Sequence, residues 1–97
     1  MRVIAKSSLI RFWDRYPAAR LPLQTWHGDA VRALWKSPQD IRLRYASASF
    51  VGNNRVVFNI KGNNYRLIVK IHYNTGRLFI RFVGTHAEYN KIDAETI

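Results

Sequence analysis

Apolar residues recur every three to four positions in the N-terminal part of the chain and every second position from Arg55 onward. The period therefore changes from that of a helix to that of a strand. Met1 to Ala5 reads as a short strand. Ser7 or Ser8 is placed to N-cap a helix whose apolar positions Leu9, Phe12, Trp13 and Tyr16 follow the i, i+3, i+4, i+7 spacing, and Pro17 stops it. A second helix is expected over about Leu21 to Lys36, with Pro22 tolerable in its first turn. Its buried stripe would be Leu23, Trp26, Ala30 and Leu34, with Val31 alongside, and its interior Gly28 costs about 1 kcal/mol relative to Ala. Ser37-Pro38-Gln39-Asp40 combines a capping Ser, a Pro at the first helical position and an acid two residues on, the start of one more short helical turn.

Three alternating runs follow: Val56, Phe58 and Ile60; then Tyr65, Leu67, Val69, Ile71 and Tyr73; then Leu78, Ile80 and Phe82. Gly62-Asn63-Asn64 and Asn74-Thr75-Gly76 between them are hairpin chemistry. Pairing Ile60 with Tyr65 and Tyr73 with Leu78 puts all three apolar sets on one face, whereas an odd offset would mix Arg with the core. The expectation is an α+β fold in one domain spanning residues 1–97. Helices over about 7–44 cover one face of an antiparallel meander over about 55–84, and a helical turn at about 85–91 closes it. The opposite face would present Arg55, Lys61, Arg66, Lys70, His72, Arg77 and Arg81, with Phe79 and His72 able to stack on bases.

Charge gives that second face a partner. Sixteen Lys and Arg against six Asp and Glu leave +10, and no acid lies between Ile41 and Ala87, a stretch that also holds Arg42 and Arg44. A mixed solvated surface intersperses both signs, and an Arg fork matches phosphate oxygens, so a polyanion such as RNA is the implied ligand. At 47% hydrophobic and 13% aromatic the chain can bury a core, which excludes general disorder. The absence of Cys excludes disulfides and thiolate chemistry. His27, His72 and His86 form no close-spaced ligand set, so neither a metal nor another cofactor is expected, and no phosphate-binding Gly loop is present. No apolar run reaches the roughly 18–20 residues of a membrane span, and Met1 to Phe12 lacks a signal-peptide core. A soluble cytoplasmic protein is the expectation.

The segment Gly84-Thr85-His86-Ala87-Glu88-Tyr89-Asn90-Lys91 carries the candidate chemistry. His86 and Tyr89, three residues apart, share one side of a helical turn. An imidazole, a phenol and a Lys beside an Arg-bearing sheet can remove the proton of a ribose 2′-OH, protonate the leaving oxygen and stabilise the charge on phosphorus. The same segment also fits a purely structural role, with Thr85 and Glu88 forming a capping box while His86 and Tyr89 pack.

The blocks Val57-Phe58-Asn59-Ile60, Gly62-Asn63-Asn64-Tyr65-Arg66-Leu67 and Arg81-Phe82-Val83-Gly84-Thr85-His86-Ala87-Glu88-Tyr89, closed by Lys91-Ile92-Asp93, resemble HigB-type toxins, members of the RelE-like toxins of bacterial type II toxin–antitoxin modules. Trp35-Lys36-Ser37-Pro38 and Asp40-Ile41 match more loosely. The resemblance implies helices on one side of an antiparallel sheet and ribosome-dependent cleavage of mRNA by 2′-OH attack on the adjacent phosphate. It also implies a HigA-type helix-turn-helix antitoxin as partner, through which alone the protein meets operator DNA. By position it points to Arg66, Arg81, His86, Tyr89 and Lys91 as catalytic, with His86 or Tyr89 moving protons and Arg66 with Arg81 on the phosphate. A phenol titrates near 10, so Tyr89 serves as a base only where cations depress its pKa.

Two other readings stay open: a non-catalytic RNA- or ribosome-binding module, and a basic surface that mainly holds an acidic antitoxin segment. Trp13, Tyr16, Trp26 and Trp35 exceed what a domain of this size needs internally and favour the helical side as the antitoxin's docking surface.

Overall fold

The two periods fold into two layers, with helices against one face of a single five-stranded sheet. The computed structural model describes residues 1–97. In chain order the elements are β1 (Arg2–Ile4), α1 (Lys6–Arg15), a 3-10 turn (Pro17–Ala19), α2 (Arg20–Arg32), α3 (Pro38–Arg44), β2 (Ser49–Val51), β3 (Arg55–Ile60), β4 (Tyr65–His72), β5 (Arg77–Thr85) and α4 (His86–Tyr89). The strand order is β1-β5-β4-β3-β2, antiparallel throughout except that β1 runs parallel to β5. The α+β class and the β3–β4–β5 meander follow the sequence pattern. β2 adds an edge strand that three residues are too few to announce. No helix is long and apolar enough to cross a membrane.

The helices depart from expectation at their ends. Neither Ser7 nor Ser8 caps α1. The N-cap is Ala5, in the left-handed region at φ 74° and without a side-chain bond, because one residue must turn the chain from β1 into the helix. α2 stops at Arg32, four residues short of Lys36, where Ala33 becomes extended. The Met1 nitrogen donates to the carbonyls of Ala30, Val31 and Ala33 at 3.0, 3.1 and 2.7 Å, satisfying groups that a helix C-terminus leaves open. As a result Leu34 lies 85% exposed and Val31 is exposed too, while Leu23, Trp26 and Ala30 are buried as the stripe predicts.

Phe58 of β3 is the centre of the core. Trp26 of α2 meets it edge-on at 5.4 Å, Trp35 stacks at 6.3 Å and Tyr45 meets it edge-on at 5.4 Å. Trp26 and Trp35 are therefore core residues and not anchors for a partner, and Trp13 and Tyr16 are half-buried against the same cluster. Tyr45 also donates its hydroxyl to Asp29 of α2, whose carboxylate pairs with Arg44 of α3 at 2.8 Å. Burial first, and then the bond and charge of Asp29, push the Tyr45 phenol far above its ordinary range. The proton that joins α2 to the end of α3 is therefore retained until the pH is strongly alkaline.

Register settles which side chains face which layer. Ile60 pairs with Tyr65 as expected. At the other hairpin Ile71, and not Tyr73, pairs with Leu78, a shift of two residues that preserves the parity and keeps Leu78 and Ile80 in the core. A bulge then breaks the ladder: Val69 pairs with Ile80 and Ile68 with Phe82, leaving Arg81 with no counterpart. Beyond it the faces exchange. Val83 packs against the core, and Phe82, expected there, lies with Ile68 on the second face.

Candidate active site

The second face is not the open basic surface that alternation predicts. The chain beyond α4 returns across it. Asn53 Nδ2 donates to the Glu95 carbonyl at 3.1 Å, and the backbone oxygen of Ile97 accepts from Arg55 Nη2 at 2.7 Å and from Arg81 Nε at 3.2 Å. One main-chain oxygen thus bridges β3 and β5 above β4. Val57 and Ile68, which alternation assigns to the solvent side, are buried outside the helical core. Arg55 is only 8% exposed, with its remaining bond to the Asn53 carbonyl at 2.9 Å. It is a tether for the C-terminal segment and does not present its guanidinium to a ligand.

On either side of this strap the face divides. Toward the β4–β5 hairpin, Lys70 lies across from Phe79, and His72 across from Arg77, with the His72 and Phe79 rings edge-on at 5.5 Å. Toward the β3–β4 hairpin, the turn organises the candidate chemistry. Lys61 and Gly62 take positive φ of 52° and 64° and reverse the chain, with Lys61 itself exposed. The reversal turns two carbonyls to use: Asn63 accepts from Arg66 Nη1 at 3.0 Å, and Asn64 accepts from the His86 backbone N–H at 3.2 Å. One turn therefore holds both Arg66 and the start of α4.

The short α4 survives because it is capped. Thr85 Oγ1 accepts from Glu88 N–H at 3.2 Å, and Glu88 Oε1 accepts from Thr85 N–H at 2.8 Å, the capping box the sequence suggests. That box coexists with the functional reading, since Tyr89 is half-buried with the Arg66 guanidinium 5.7 Å from its ring centroid. His86 is exposed, and the Asn90 amide nitrogen lies 3.2 Å from its Nδ1. With the amide donating, Nδ1 is the acceptor and the ring proton of the neutral imidazole sits on Nε2.

Arg66 and Tyr89 thus meet at one end of the second face, with His86 at the start of the same helical turn, while Arg81 stands at the bulge with its Nε on the Ile97 oxygen. Lys91 is exposed just beyond α4, its N–H on the Glu88 carbonyl at 3.1 Å. Arg42 and Arg44 are elsewhere, on α3. Arg42 lies 4.6 Å over the Phe50 ring, and Arg44 is committed to Asp29 and to the Tyr45 ring at 4.9 Å. Gly84, opposite Arg66, is a site residue that side-chain chemistry passes over. A Cβ there would stand 2.5 Å from Phe82 Cζ and 3.2 Å from Glu88 Oε1, so a side chain at this position must displace the Phe82 ring or the capping carboxylate. A glycine inside an otherwise apolar strand is the signal for such an approach.

A helix-backed antiparallel sheet with a basic outer face and a terminal turn carrying His and Tyr is the architecture of a RelE-like domain. The chain belongs to the HigB toxin family, the RelE-like toxic component of a toxin–antitoxin system, which it matches over residues 19–92. It is 27% identical over 94 residues to the mRNA interferase HigB of Escherichia coli O6:H1, covering 95% of this chain and 91% of that one. It is 24% identical over 92 residues to the mRNA interferase toxin HigB of Escherichia coli K12 and to the mRNA interferase HigB of Shigella flexneri, covering 93% of this chain and 88% of each.

Proposed function

We propose that this protein is an mRNA interferase that cleaves messages during translation on the ribosome and is neutralised by a HigA-type helix-turn-helix antitoxin, through which the pair contacts its operator DNA. The observation that carries the reading is the Arg66 guanidinium over the Tyr89 ring, on the capped turn that also carries His86, in a chain of a toxin family whose relatives bear that name. Arg66 and Arg81 hold the scissile phosphate. The 2′-oxygen of the preceding ribose attacks phosphorus as its proton leaves, the P–O5′ bond breaks, and O5′ takes up a proton. The products are a 2′,3′-cyclic phosphate and a 5′-hydroxyl. His86 and Tyr89 carry the two proton transfers, and the guanidinium charges offset the charge that builds on the phosphate oxygens. Lys91, Lys61, Lys70, His72 and Arg77 extend the RNA track along the same face. For Arg81 to reach a phosphate with its full fork, the Ile97 oxygen must give way.

Brief induction in a bacterium lacking the antitoxin, followed by mapping of mRNA 5′ ends, tests the reading. New ends inside coding regions are expected for the wild type, absent for His86→Ala and absent when translation initiation is blocked. Intact messages from the wild type would instead identify a binding module that does not cut.

A further inference from the structure

The largest cavity of the molecule, about 350 Å³, lies beside the sheet face and not on it, in the angle between α1 and β5. It exists because β1 pairs only with Arg77–Phe79, so the edge of β5 away from β4 has no strand neighbour from Ile80 to Thr85. α1 leans over that open edge. Its Leu9 and Phe12 enter the core, and the adjacent stripe Ser8, Arg11 and Arg15 forms the cleft wall. Arg81, Phe82 and Val83 of β5 and Glu88 of α4 complete its lining.

The charge in this cleft is uncompensated. The molecule's only ion pairs join Arg32 and Arg44 to Asp29. Arg11 makes one long contact to Ser8 Oγ at 3.4 Å, and Arg15 lies 5.4 Å from the Tyr16 ring centroid. Asp14, also on α1, does not line the cleft, and the Glu88 carboxylate is engaged by the Thr85 N–H. Three guanidiniums therefore face a single acid. A cavity of this size is at the lower end of the roughly 300–1,000 Å³ of ligand clefts, matching one nucleotide better than a folded partner.

We propose that this cleft is a nucleotide subsite. It takes a phosphate-bearing nucleotide of single-stranded RNA next to the scissile bond, with Arg11 and Arg15 on its phosphate, Arg81 between it and the scissile phosphate, and the half-buried Tyr16 ring against the base. The inference rests on the nuclease reading and extends it to residues of α1. Continuity favours RNA over an acidic peptide. Arg81 belongs both to the cleft and to the sheet face, and Glu88 sits within the turn that carries His86 and Tyr89, so a strand threaded past the reacting atoms leads into the cleft. Guanidiniums beside a π-face are what a nucleotide's two halves require.

Arg11→Gln combined with Arg15→Gln tests the proposal, both positions being exposed and outside the core. Binding of a short single-stranded RNA is followed by anisotropy across a salt titration, with Tyr89→Phe in both proteins to stop cleavage. The double variant should bind about tenfold more weakly, with a log–log salt slope shallower by about 1.4, two single-strand phosphate contacts at about 0.7 each. With Tyr89 restored, cleavage on translating ribosomes should show a raised KM and an unchanged kcat, and thermal unfolding should not move. Unchanged RNA affinity and slope overturn the subsite, as does a loss confined to binding of the purified cognate antitoxin. A wild type that neither binds nor cuts RNA sinks the nuclease reading as well. A wild type that cuts while the double variant matches it sinks the cleft alone.

Discussion

On the helix-covered side of the sheet, Phe58 meets the rings of Trp26, Trp35 and Tyr45, and the neighbouring strand positions Val56, Leu67, Val69 and Ile71 are fully buried. On the opposite side the same strands carry Arg66, Lys70, His72 and Arg77, and the cover is a few residues of main chain tied to Arg55, Arg81 and Asn53. The first face is held by side-chain volume, which gives a near-uniform apolar layer. The second is held by guanidiniums and amides reaching carbonyl oxygens, bonds that a phosphate oxygen can replace. A basic face can therefore be ordered in the free protein and still be available to a polyanion at its uncovered ends.

Substitutions on the two faces should separate stability from activity. The largest effect on folding is expected from Phe58→Ala, which removes the ring three others pack on. A loss of about 3–5 kcal/mol should appear in urea unfolding, a large part of the roughly 5–15 kcal/mol of a typical domain. Gly84→Ala forces Phe82 or Glu88 to move and should cost about 1–3 kcal/mol. Unlike the core variant, it should lower cleavage more than its stability loss explains, because α4 is displaced from Arg66. Arg55→Ala leaves the Asn53 oxygen without its donor and the Ile97 oxygen with only Arg81, and should also cost about 1–3 kcal/mol. Its RNA salt slope should stay at the wild-type value if Arg55 is a tether, and a shallower slope would return it to the RNA surface.

The smallest effect is a pH dependence on the helical side. Burial, and then the charge of Lys6, lower the His27 pKa below 6.5. As pH falls below about 6.5 the unfolded chain takes up this proton before the folded one does, so stability declines toward the folded pKa. Urea midpoints at neutral and mildly acid pH should differ in that direction, and His27→Gln should narrow the gap.

What could be read from sequence follows the same division. Alternation in β3 and β4 assigned Val56, Phe58, Ile60, Leu67, Val69 and Ile71 to the core because period and burial coincide there. It failed at Phe82 and Val83, since a single unpaired residue at Arg81 inverts every later position and leaves no compositional trace. The α2 terminus was likewise invisible, because its carbonyls are satisfied by Met1, some thirty residues away in sequence. At the candidate site, the Thr85–Glu88 spacing announced the capping box, a local rule. The strap was not legible. Its contacts to Arg55, Asn53 and Gly52 span about forty residues, and Arg55 looks in sequence like any other cation of the acid-free stretch.

Removing one oxygen tests whether cleavage depends on the junction of α4 with Arg66. Tyr89→Phe keeps the ring against the Arg66 guanidinium and deletes only the hydroxyl. Single-turnover cleavage of a message on ribosomes should fall by about 10²–10⁴-fold with the unfolding temperature unchanged. Cleavage at the wild-type rate would place the chemistry elsewhere in the molecule.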